Sequence, residues 1–337
     1  MPTLSVLDQS PVKSGGTPSQ AVHETLELAE AADSLGYHRY WLAEHHATPG
    51  LACSCPEILI GQVAARTSRI RVGSGGVMLS HYSPLKVAEN FRMLETLFPG
   101  RIDLSIGRAP GSDQRTAEVL AGDAAALDTG QFPKKVADLI GFLNNRFEAG
   151  HPLAGIRAMP EGPGAPDLWL LGSSDQSAAL AARHGTAFSF AHFISGRGAD
   201  AVIRIYARHF RPSPALTTPR ASLGVFVICA DSETEALRLA RSRDLFLLRL
   251  YAGQPAPYPS VEEAEGYPYS PRDEAALRDA RQRSIVGTPE QVRERLLAMG
   301  ASCGVDEFVV LTITHDFAAR LRSYELLAEA FDLARGA

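Results

Sequence analysis

Cysteine is scarce in this chain, with four among 337 residues. They stand at Cys53, Cys55, Cys229 and Cys303. Four cysteines are too few for a disulfide framework in a chain of this length. Cys53 and Cys55 form one CxC pair with no second pair to complete a zinc site, so we expect no metal centre.

An excess of positive charge and a long apolar run are also missing. The formal net charge is −5, whereas a nucleic-acid surface needs a basic stripe. No apolar run approaches the roughly 20 residues of a membrane span. The start, MPTLSVLDQSPV, lacks the basic segment and apolar run of a signal peptide. We therefore expect a cytoplasmic protein that binds neither nucleic acid nor membrane.

Two nucleotide-binding motifs are absent as well. No GxGxxG follows the first apolar run, and no GxxxxGK[ST] occurs anywhere. These absences argue against a doubly wound NAD-binding fold and against a P-loop. They leave room for a nucleotide that is held in another way.

What the chain does have is eight short apolar runs that alternate with amphipathic stretches. In chain order they are Leu4–Leu7, YHRYWLAEHH, IRVGSGGVML, RIDLSIGRAP, LWLLGS, AFSFAHF, LGVFVICA and EFVVLTIT. Most are apolar on both faces, which is typical of parallel strands covered by helices. Eight such strand–helix units predict an α/β fold, a (β/α)8 TIM barrel.

Two connections between these runs are much longer than the others. They follow strands four and seven, at about residues 110–167 and 252–284. We interpret the chain as one barrel domain, residues 1–337, with two insertions. The second is rich in proline, glycine, acid and tyrosine, and includes Tyr258, Tyr267 and Tyr269. It predicts a lid with little regular structure.

Candidate site residues follow the strands, because functional side chains in a barrel gather at the strands' carboxyl ends. The second strand ends in Glu44-His45-His46, where alternation puts Glu44 and His46 on one face and His45 on the other. The two histidines are either packed at the rim, catalytic, or part of a metal site. The third strand carries Gly75-Gly76, which indicates a flat ligand or a crowded barrel interior.

An anion site is indicated by the next strands. The fourth ends in Gly107-Arg108, and the fifth continues through Ser173-Ser174 into a helix. Free N–H groups and small hydroxyls at a helix start suit a phosphate, although simple helix capping is the alternative. His192 ends the sixth strand. Together these residues suit a flat cofactor that carries one phosphate.

The same motifs, in this order, resemble the bacterial luciferase-like flavin monooxygenases. The resemblance rests on LDQSPV, WLAEHH, RVGSGGVMLSHYSPLKVAEN, GRIDLSIGRAPG, WLLGSSDQSAALAARHG and IVGTPEQVRERL, and it covers nearly the whole chain. It implies a TIM barrel that binds reduced FMN at the carboxyl ends of its strands. It also implies transfer of one oxygen atom from O2 to a small organic substrate, which is hydroxylated or epoxidised.

The resemblance also assigns roles to residues. The phosphate falls to Arg108, Ser173, Ser174 and Ser177, and the flavin ring lies beside a cis peptide bond at Gly75-Gly76. His45 matches the catalytic histidine, with Glu44 and His46 beside it, and Glu89 matches a family carboxylate. His192 stands where luciferase has an aromatic residue near the flavin. Two positions depart from luciferase, since Gly107 replaces its reactive cysteine and Ser173 replaces an acid.

Partners and alternatives complete the hypothesis. A separate NAD(P)H:flavin reductase is expected to supply the reduced FMN, because the chain has no NAD(P)H motif of its own. A C2 homodimer is expected through the helices after strands two and three. Those helices carry Gly61, Ala64, Ala65, Val87, Ala88, Phe91 and Leu94. The alternatives are a deazaflavin (F420)-dependent oxidoreductase on the same barrel, a non-catalytic flavin-binding protein, and a metal-dependent hydrolase.

Overall fold

The computed structural model describes residues 2–109, 111–123, 127–162 and 164–333. Pro110 of the GRAPG motif and a few positions of the first insertion lie outside the described residues. The strands are β1 (Thr3–Asp8), β2 (Arg39–Leu42), β3 (Arg71–Ser74), β4 (Val77–Met78), β5 (Ile102–Gly107), β6 (Asp167–Gly172), β7 (Ala187–Ala191), β8 (Ala221–Cys229), β9 (Ser284–Gly287) and β10 (Glu307–Leu311).

Twelve α-helices are described between and after these strands. They are α1 (Pro18–Ser34), α2 (Pro56–Arg66), α3 (Pro84–Leu97), α4 (Gln114–Ala121), α5 (Phe132–Leu143), α6 (Asp175–His184), α7 (Ala199–His209), α8 (Glu233–Tyr251), α9 (Val261–Glu265), α10 (Pro271–Gln282), α11 (Pro289–Cys303) and α12 (Phe317–Ala330). None of the described helices has the length and apolar character that crossing a membrane requires.

Eight of the strands close into a barrel. The ring runs β1, β2, β3, β5, β6, β7, β8 and β10, and β10 pairs with both β1 and β8. Every strand pairing in it is parallel. The eight apolar runs supply these eight strands, and the predicted TIM barrel is confirmed. Two short strands stand outside the ring, with β4 paired to β5 and β9 paired to the last residues of β8.

Side chains fill the inside of the barrel. An apolar cluster that includes Leu7, Trp41 and Trp169 lies within the ring. Below it, near the amino-terminal ends of the strands, Arg39 pairs with Asp103 at 2.8 Å and with Glu307 at 2.7 Å. These buried ion pairs close the amino-terminal end of the barrel. Ligands of such barrels bind at the opposite end, in the mouth formed by the carboxyl ends of the strands.

The insertion after β8 is folded, and the expectation of little regular structure is wrong. Helices α9 and α10 bury apolar residues at helical spacing, and Ser270 caps α10 in a reciprocal capping box. Tyr258 is 1% exposed, with its hydroxyl donating to the Ile313 carbonyl and its N–H to the Val12 carbonyl. It is therefore part of the fixed packing over the mouth and cannot close over a substrate.

Helices α2 and α3, which were expected to form a dimer surface, turn most of the residues named for that surface toward the core of their own chain. Most of the residues named for it, among them Val87, Phe91 and Leu94, are buried within the chain's own core. A Cβ at Gly61 would lie 3.6 Å from Leu94 Cδ2, an ordinary contact, so α2 already packs against α3 of the same chain at this position.

Candidate active site

Glu44 is the centre of a buried hydrogen-bond cluster at the mouth. Its carboxylate is 1% exposed. Oε1 lies 2.7 Å from His46 Nε2 and accepts a 2.6 Å hydrogen bond from the Tyr82 hydroxyl. Oε2 accepts a 2.9 Å hydrogen bond from the Met78 N–H. Glu44 and His46 therefore share a face, as alternation predicts, and three donors hold this carboxylate in place.

The cluster also fixes the state of Tyr82. Burial, followed by its hydrogen bond to Glu44, raises the pKa of the Tyr82 hydroxyl above its usual value. The hydroxyl consequently stays protonated and keeps donating to the carboxylate. Tyr82 lies 38 residues from Glu44 along the chain, in the turn before α3.

His45 faces away from this cluster. Its backbone N–H donates to the Cys53 carbonyl at 2.9 Å. The ring nitrogen Nδ1 is sealed from solvent and has no hydrogen-bond partner among the described residues. Burial, with a smaller contribution from neighbouring His46, lowers the pKa of His45 to about 4. At neutral pH this ring is uncharged. Because the residue is only half-buried and Nδ1 is sealed, Nε2 is the nitrogen that a bound molecule can reach.

The two glycines after β3 are in close contact with the barrel interior. Their peptide bond, Gly75–Gly76, is cis, as the resemblance predicts. A Cβ on Gly75 would lie 2.5 Å from Leu7 Cδ1, and one on Gly76 would lie 2.6 Å from the Ser105 carbonyl oxygen. The packing of the barrel thus requires glycine at both positions, which agrees with the crowded barrel interior that was one of the two interpretations of Gly75-Gly76.

Gly107 has more room. A Cβ there would meet nothing closer than Met78 Cε at 3.7 Å, an ordinary contact. Met78 in β4 pairs with Gly107 at the end of β5, so the Glu44 cluster adjoins this open position. A side chain at 107 would therefore project into the mouth and not into the wall.

The helix start after β6 has the features of an anion site. Ser174 is the N-cap of α6, but its side chain makes no capping hydrogen bond. Its Oγ lies instead 3.3 Å from Ser177 Oγ. A Cβ on Gly172 would lie 2.3 Å from Ser177 Oγ, so this glycine lets the first turn approach the strand. Half-buried Ser173 directly precedes the cap.

Arg108 reaches the same helix start. It follows β5, the strand that pairs with β6, and its NH1 donates to Gln176 Oε1 at 2.9 Å. Gln176 lies in the first turn of α6. The structure thus brings an exposed guanidinium and two serine hydroxyls to one helix N-terminus, where backbone N–H groups favour an anion. The uncapped Ser174 side chain argues against the simple capping alternative.

His192 lies on the far side of the mouth. It follows β7, four strands from β2 around the ring, and makes no hydrogen bond to Glu44 or His45. Its Nδ1 is buried without a partner among the described residues. Burial, and then the charges of Arg295 and Arg283, lower the pKa of His192. Like His45, it presents a neutral ring to its surroundings.

Sequence reasoning missed several residues of this site. Tyr82, Met78 and Gln176 each contact a residue that was singled out, and all three stand within the quoted motifs. Glu89, half-buried in α3, makes none of the hydrogen bonds of the Glu44 cluster. No group of three or more histidine, cysteine, aspartate or glutamate side chains is placed to hold a metal ion in the described residues.

These residues fit a flat cofactor with one phosphate. The serine–arginine cluster at α6 suits the phosphate. The open position at Gly107 leaves space beside the Glu44 cluster, and the half-buried ring of His45 offers Nε2 as a polar contact. FMN has this shape and this charge distribution.

Comparisons with known proteins identify the family of the chain. Residues 3–307 match the family described as luciferase-like monooxygenase. The chain is 48% identical over 332 residues to YwcH of Bacillus subtilis, covering 98% of this chain and 99% of that protein. It is 36% identical over 328 residues to the N-acetyl-S-alkylcysteine monooxygenase of the same organism, covering 97% of each.

Solved structures show the same fold. The crystal structure of apo-MsnO8 superposes with a TM-score of 0.91 at 41% identity, over 98% of each chain. More distant barrels include the FMN complex of the 3,6-diketocamphane monooxygenase of Pseudomonas putida, with a TM-score of 0.71 at 18% identity over 97% of each chain. An F420-dependent secondary alcohol dehydrogenase has a TM-score of 0.68 at 13% identity, over 98% of each chain. The chain belongs to the luciferase-like monooxygenase family.

Proposed function

We propose that this protein is a monooxygenase that uses reduced FMN and O2 to hydroxylate or epoxidise a small organic substrate. One observation carries the proposal: Arg108 and the hydroxyls of Ser174 and Ser177 meet at the N-terminus of α6. A single phosphate is the group that such a cluster suits. FMN has one phosphate and a flat ring, and when bound it supplies the electrons that make O2 reactive.

The residues around the ring would have separate tasks. Arg108, Ser173, Ser174 and Ser177 would bind the phosphate. Gly75, Gly76 and Gly107 would border the ring, because none of them extends a side chain into the mouth.

His45 and His192 would act through their neutral rings. His45 is uncharged above about pH 4 and half-buried, so its Nε2 would accept a proton or a hydrogen bond from bound reactants. Glu44 would keep His46 and Tyr82 in fixed positions beside it, and is thereby a positioning residue. His192 would face the reactants from the opposite side.

Electrons must come from outside the chain. A separate NAD(P)H:flavin reductase would deliver reduced FMN by diffusion, which agrees with the lack of an NAD(P)H motif in this sequence. The protein would therefore use a small organic molecule and O2 as substrates, and a reductase as a transient partner. Since such reductants are cytoplasmic, the cytoplasm is the expected location.

The cofactor can be tested directly by anaerobic titration. The purified protein would be titrated with reduced FMN and with reduced F420, and the bound species identified by absorbance and mass. We expect saturable binding of FMN and none of F420. Binding of F420 without FMN would establish the deazaflavin alternative instead.

The reaction can then be tested with labelled oxygen. The protein would receive FMN, a free flavin reductase, NADH, oxygen-18 gas and a panel of thioethers and aromatic acids. A product that contains one oxygen-18 atom supports a monooxygenase. If FMN binds but all consumed oxygen appears as hydrogen peroxide with every candidate, while substrates still bind, the protein would be a flavin-binding protein without this activity.

A homodimer is part of the proposal, through the outer faces of α2 and α3. These faces expose Ile58 (66%), Met93 (50%) and Leu97 (61%), which are large apolar side chains. A C2 dimer would cover them. Light scattering on the wild type and on Met93→Glu tests this, with a dimer expected for the first and a shift toward monomer for the second.

A further inference from the structure

A second positively charged region lies beside β8, three strands around the ring from β5, the strand that Arg108 follows. It is a cavity of about 430 Å³ between α8, α10, α11 and β9. Four arginines line it, together with a single carboxylate, and they are Arg241, Arg243, Arg281, Arg295 and Asp244. Val286 and Arg295 lie within the motif IVGTPEQVRERL, but no residue of this cavity was assigned a role from the sequence, and none belongs to the proposed phosphate site.

The negative charge in the cavity is already engaged. Asp244 Oδ2 accepts a 2.8 Å hydrogen bond from Arg281 Nε, and Arg281 also meets Glu274 at 2.5 Å. Within the part of the chain that the structure describes, no carboxylate forms an ion pair with the other three arginines. The cavity therefore carries an excess of positive charge.

Arg243 is the most buried of these cations, at 8% exposed. Its NH1 donates to Ser284 Oγ at 2.7 Å and to the Ala280 carbonyl at 3.3 Å, both of them neutral acceptors. Its guanidinium carbon lies 4.1 Å from the centre of the Phe226 ring. A buried guanidinium without a counter-ion is costly, and a bound anion would offset that cost.

The cavity is next to the proposed active site. Phe226, which forms part of its wall, belongs to the apolar cluster inside the barrel together with Trp41 and Trp169. The loop that follows His192 reaches the same region, because a Cβ on Gly196 would clash with the Arg283 side chain, and Arg283 directly precedes the wall residue Ser284. The cavity therefore adjoins both the apolar interior of the barrel and the loop that follows His192.

We propose that this cavity is a carboxylate subsite of the substrate pocket and that the substrate is an organic acid. Its carboxylate would bind Arg243, with Arg241 and Arg295 contributing charge, and its apolar part would lie over Phe226. This inference rests on the proposed function, because it names the class of substrate for that reaction. The phosphate of the cofactor is the other possible source of an anion, and the test separates the two.

The test measures binding and needs no turnover. Two acids, N-acetylmethionine and 4-phenylbutyrate, and their neutral amides would be titrated into the FMN-loaded protein by calorimetry. We expect at least one acid to bind saturably and more tightly than its amide. Arg243→Gln should weaken that acid about tenfold to a hundredfold, as expected for a lost charge-assisted hydrogen bond, and leave the amide unchanged. Arg243→Lys should retain part of the preference.

Further variants guard against a folding defect. Among the described residues Arg241 has no hydrogen-bond partner, and its guanidinium carbon lies 5.7 Å from the centre of the Tyr269 ring. Arg241→Gln should therefore weaken binding of the acid without disturbing the fold. Arg204→Gln, at an exposed pair on α7, is the control and should bind as the wild type does. FMN and riboflavin affinities of Arg243→Gln form the second arm, and both should match the wild type.

Three results with the acids would overturn the inference. The first is that the wild type binds neither acid saturably, and the second is that it binds acid and amide with equal affinity. The third is a preference for the acid that survives in both Arg243→Gln and Arg241→Gln. Loss of FMN affinity with no change in acid binding would assign the cavity to the cofactor, which also overturns it. A protein that binds the acid selectively but shows no oxygen transfer would refute the proposed function and leave this subsite standing.

Discussion

Replacing Glu44 by glutamine tests the buried cluster that organises one side of the mouth. The carboxylate accepts from Tyr82 and from the Met78 N–H and pairs with His46, all within 2.9 Å and away from solvent. An amide has only one acceptor oxygen, and its NH2 group would face a donor. At least one buried donor then loses its acceptor, at a cost of about 1–3 kcal/mol.

The charge of Glu44 adds to this loss. Hydrogen bonds to an ionised group are worth about 1.5–3 kcal/mol, so we expect Glu44→Gln to lower the free energy of unfolding by about 2–3 kcal/mol. Urea unfolding followed by circular dichroism measures this. Glu30→Gln is the matched control, because its carboxylate meets Arg66 at the surface and should cost less than about 1 kcal/mol.

A double-mutant cycle makes the test specific. In Tyr82→Phe the hydroxyl is gone, so Glu44→Gln should cost less in that background than in the wild type. A coupling of about 1 kcal/mol is expected for contacting groups. If Glu44→Gln is no more damaging than Glu30→Gln, or if the two substitutions are additive, the cluster does not hold the site together as argued.

Further predictions concern the glycines and the histidine. Gly76→Ala should cost about 1–3 kcal/mol in urea unfolding, because its Cβ would lie 2.6 Å from the Ser105 carbonyl oxygen. Gly107→Ala has room and should leave stability unchanged while weakening FMN binding, and equal losses of stability in the two would contradict this. The pKa of His45 is about 4 in the fold and 6.5 when exposed, so the unfolded chain binds more protons between these values and stability falls as the pH falls. His45→Gln removes that loss. As the pH falls from 6.5 to 4, the free energy of unfolding of the variant should therefore rise relative to that of the wild type by up to about 3 kcal/mol, measured by thermal unfolding. A constant difference across this range would show that His45 titrates normally. His45→Gln should also keep FMN affinity while turnover falls about 10²–10⁴-fold, and wild-type turnover would show that His45 is structural.

The barrel could be predicted because its signal is local and repeated. Each strand buries both faces, so runs such as EFVVLTIT are apolar throughout, and helices with their own caps separate them. Site positions followed from the fold, since Glu44, Arg108 and Ser174 all stand within two residues of the end of a strand. The carboxyl ends of the strands meet at one mouth, whatever the side chains do there.

What escaped prediction depends on contacts between distant segments. Tyr82 and Gln176 carry no signal of their own and acquire roles by touching Glu44 and Arg108. The insertion after β8 was misjudged because proline and glycine suggested a loop, whereas two short capped helices bury enough apolar side chains to pack. The buried state of Arg243 arises from α10 and β9 closing over it, which no local pattern indicates.

The phosphate site is the central claim, and comparing FMN with riboflavin tests it most directly. The two ligands share the ring and differ by the phosphate. The account predicts that the wild type binds FMN more tightly than riboflavin. It also predicts that Arg108→Ala removes about 1.5–3 kcal/mol of that preference while riboflavin affinity stays unchanged. Equal affinity for the two ligands in the wild type, or a preference for FMN that Arg108→Ala leaves intact, would contradict the account.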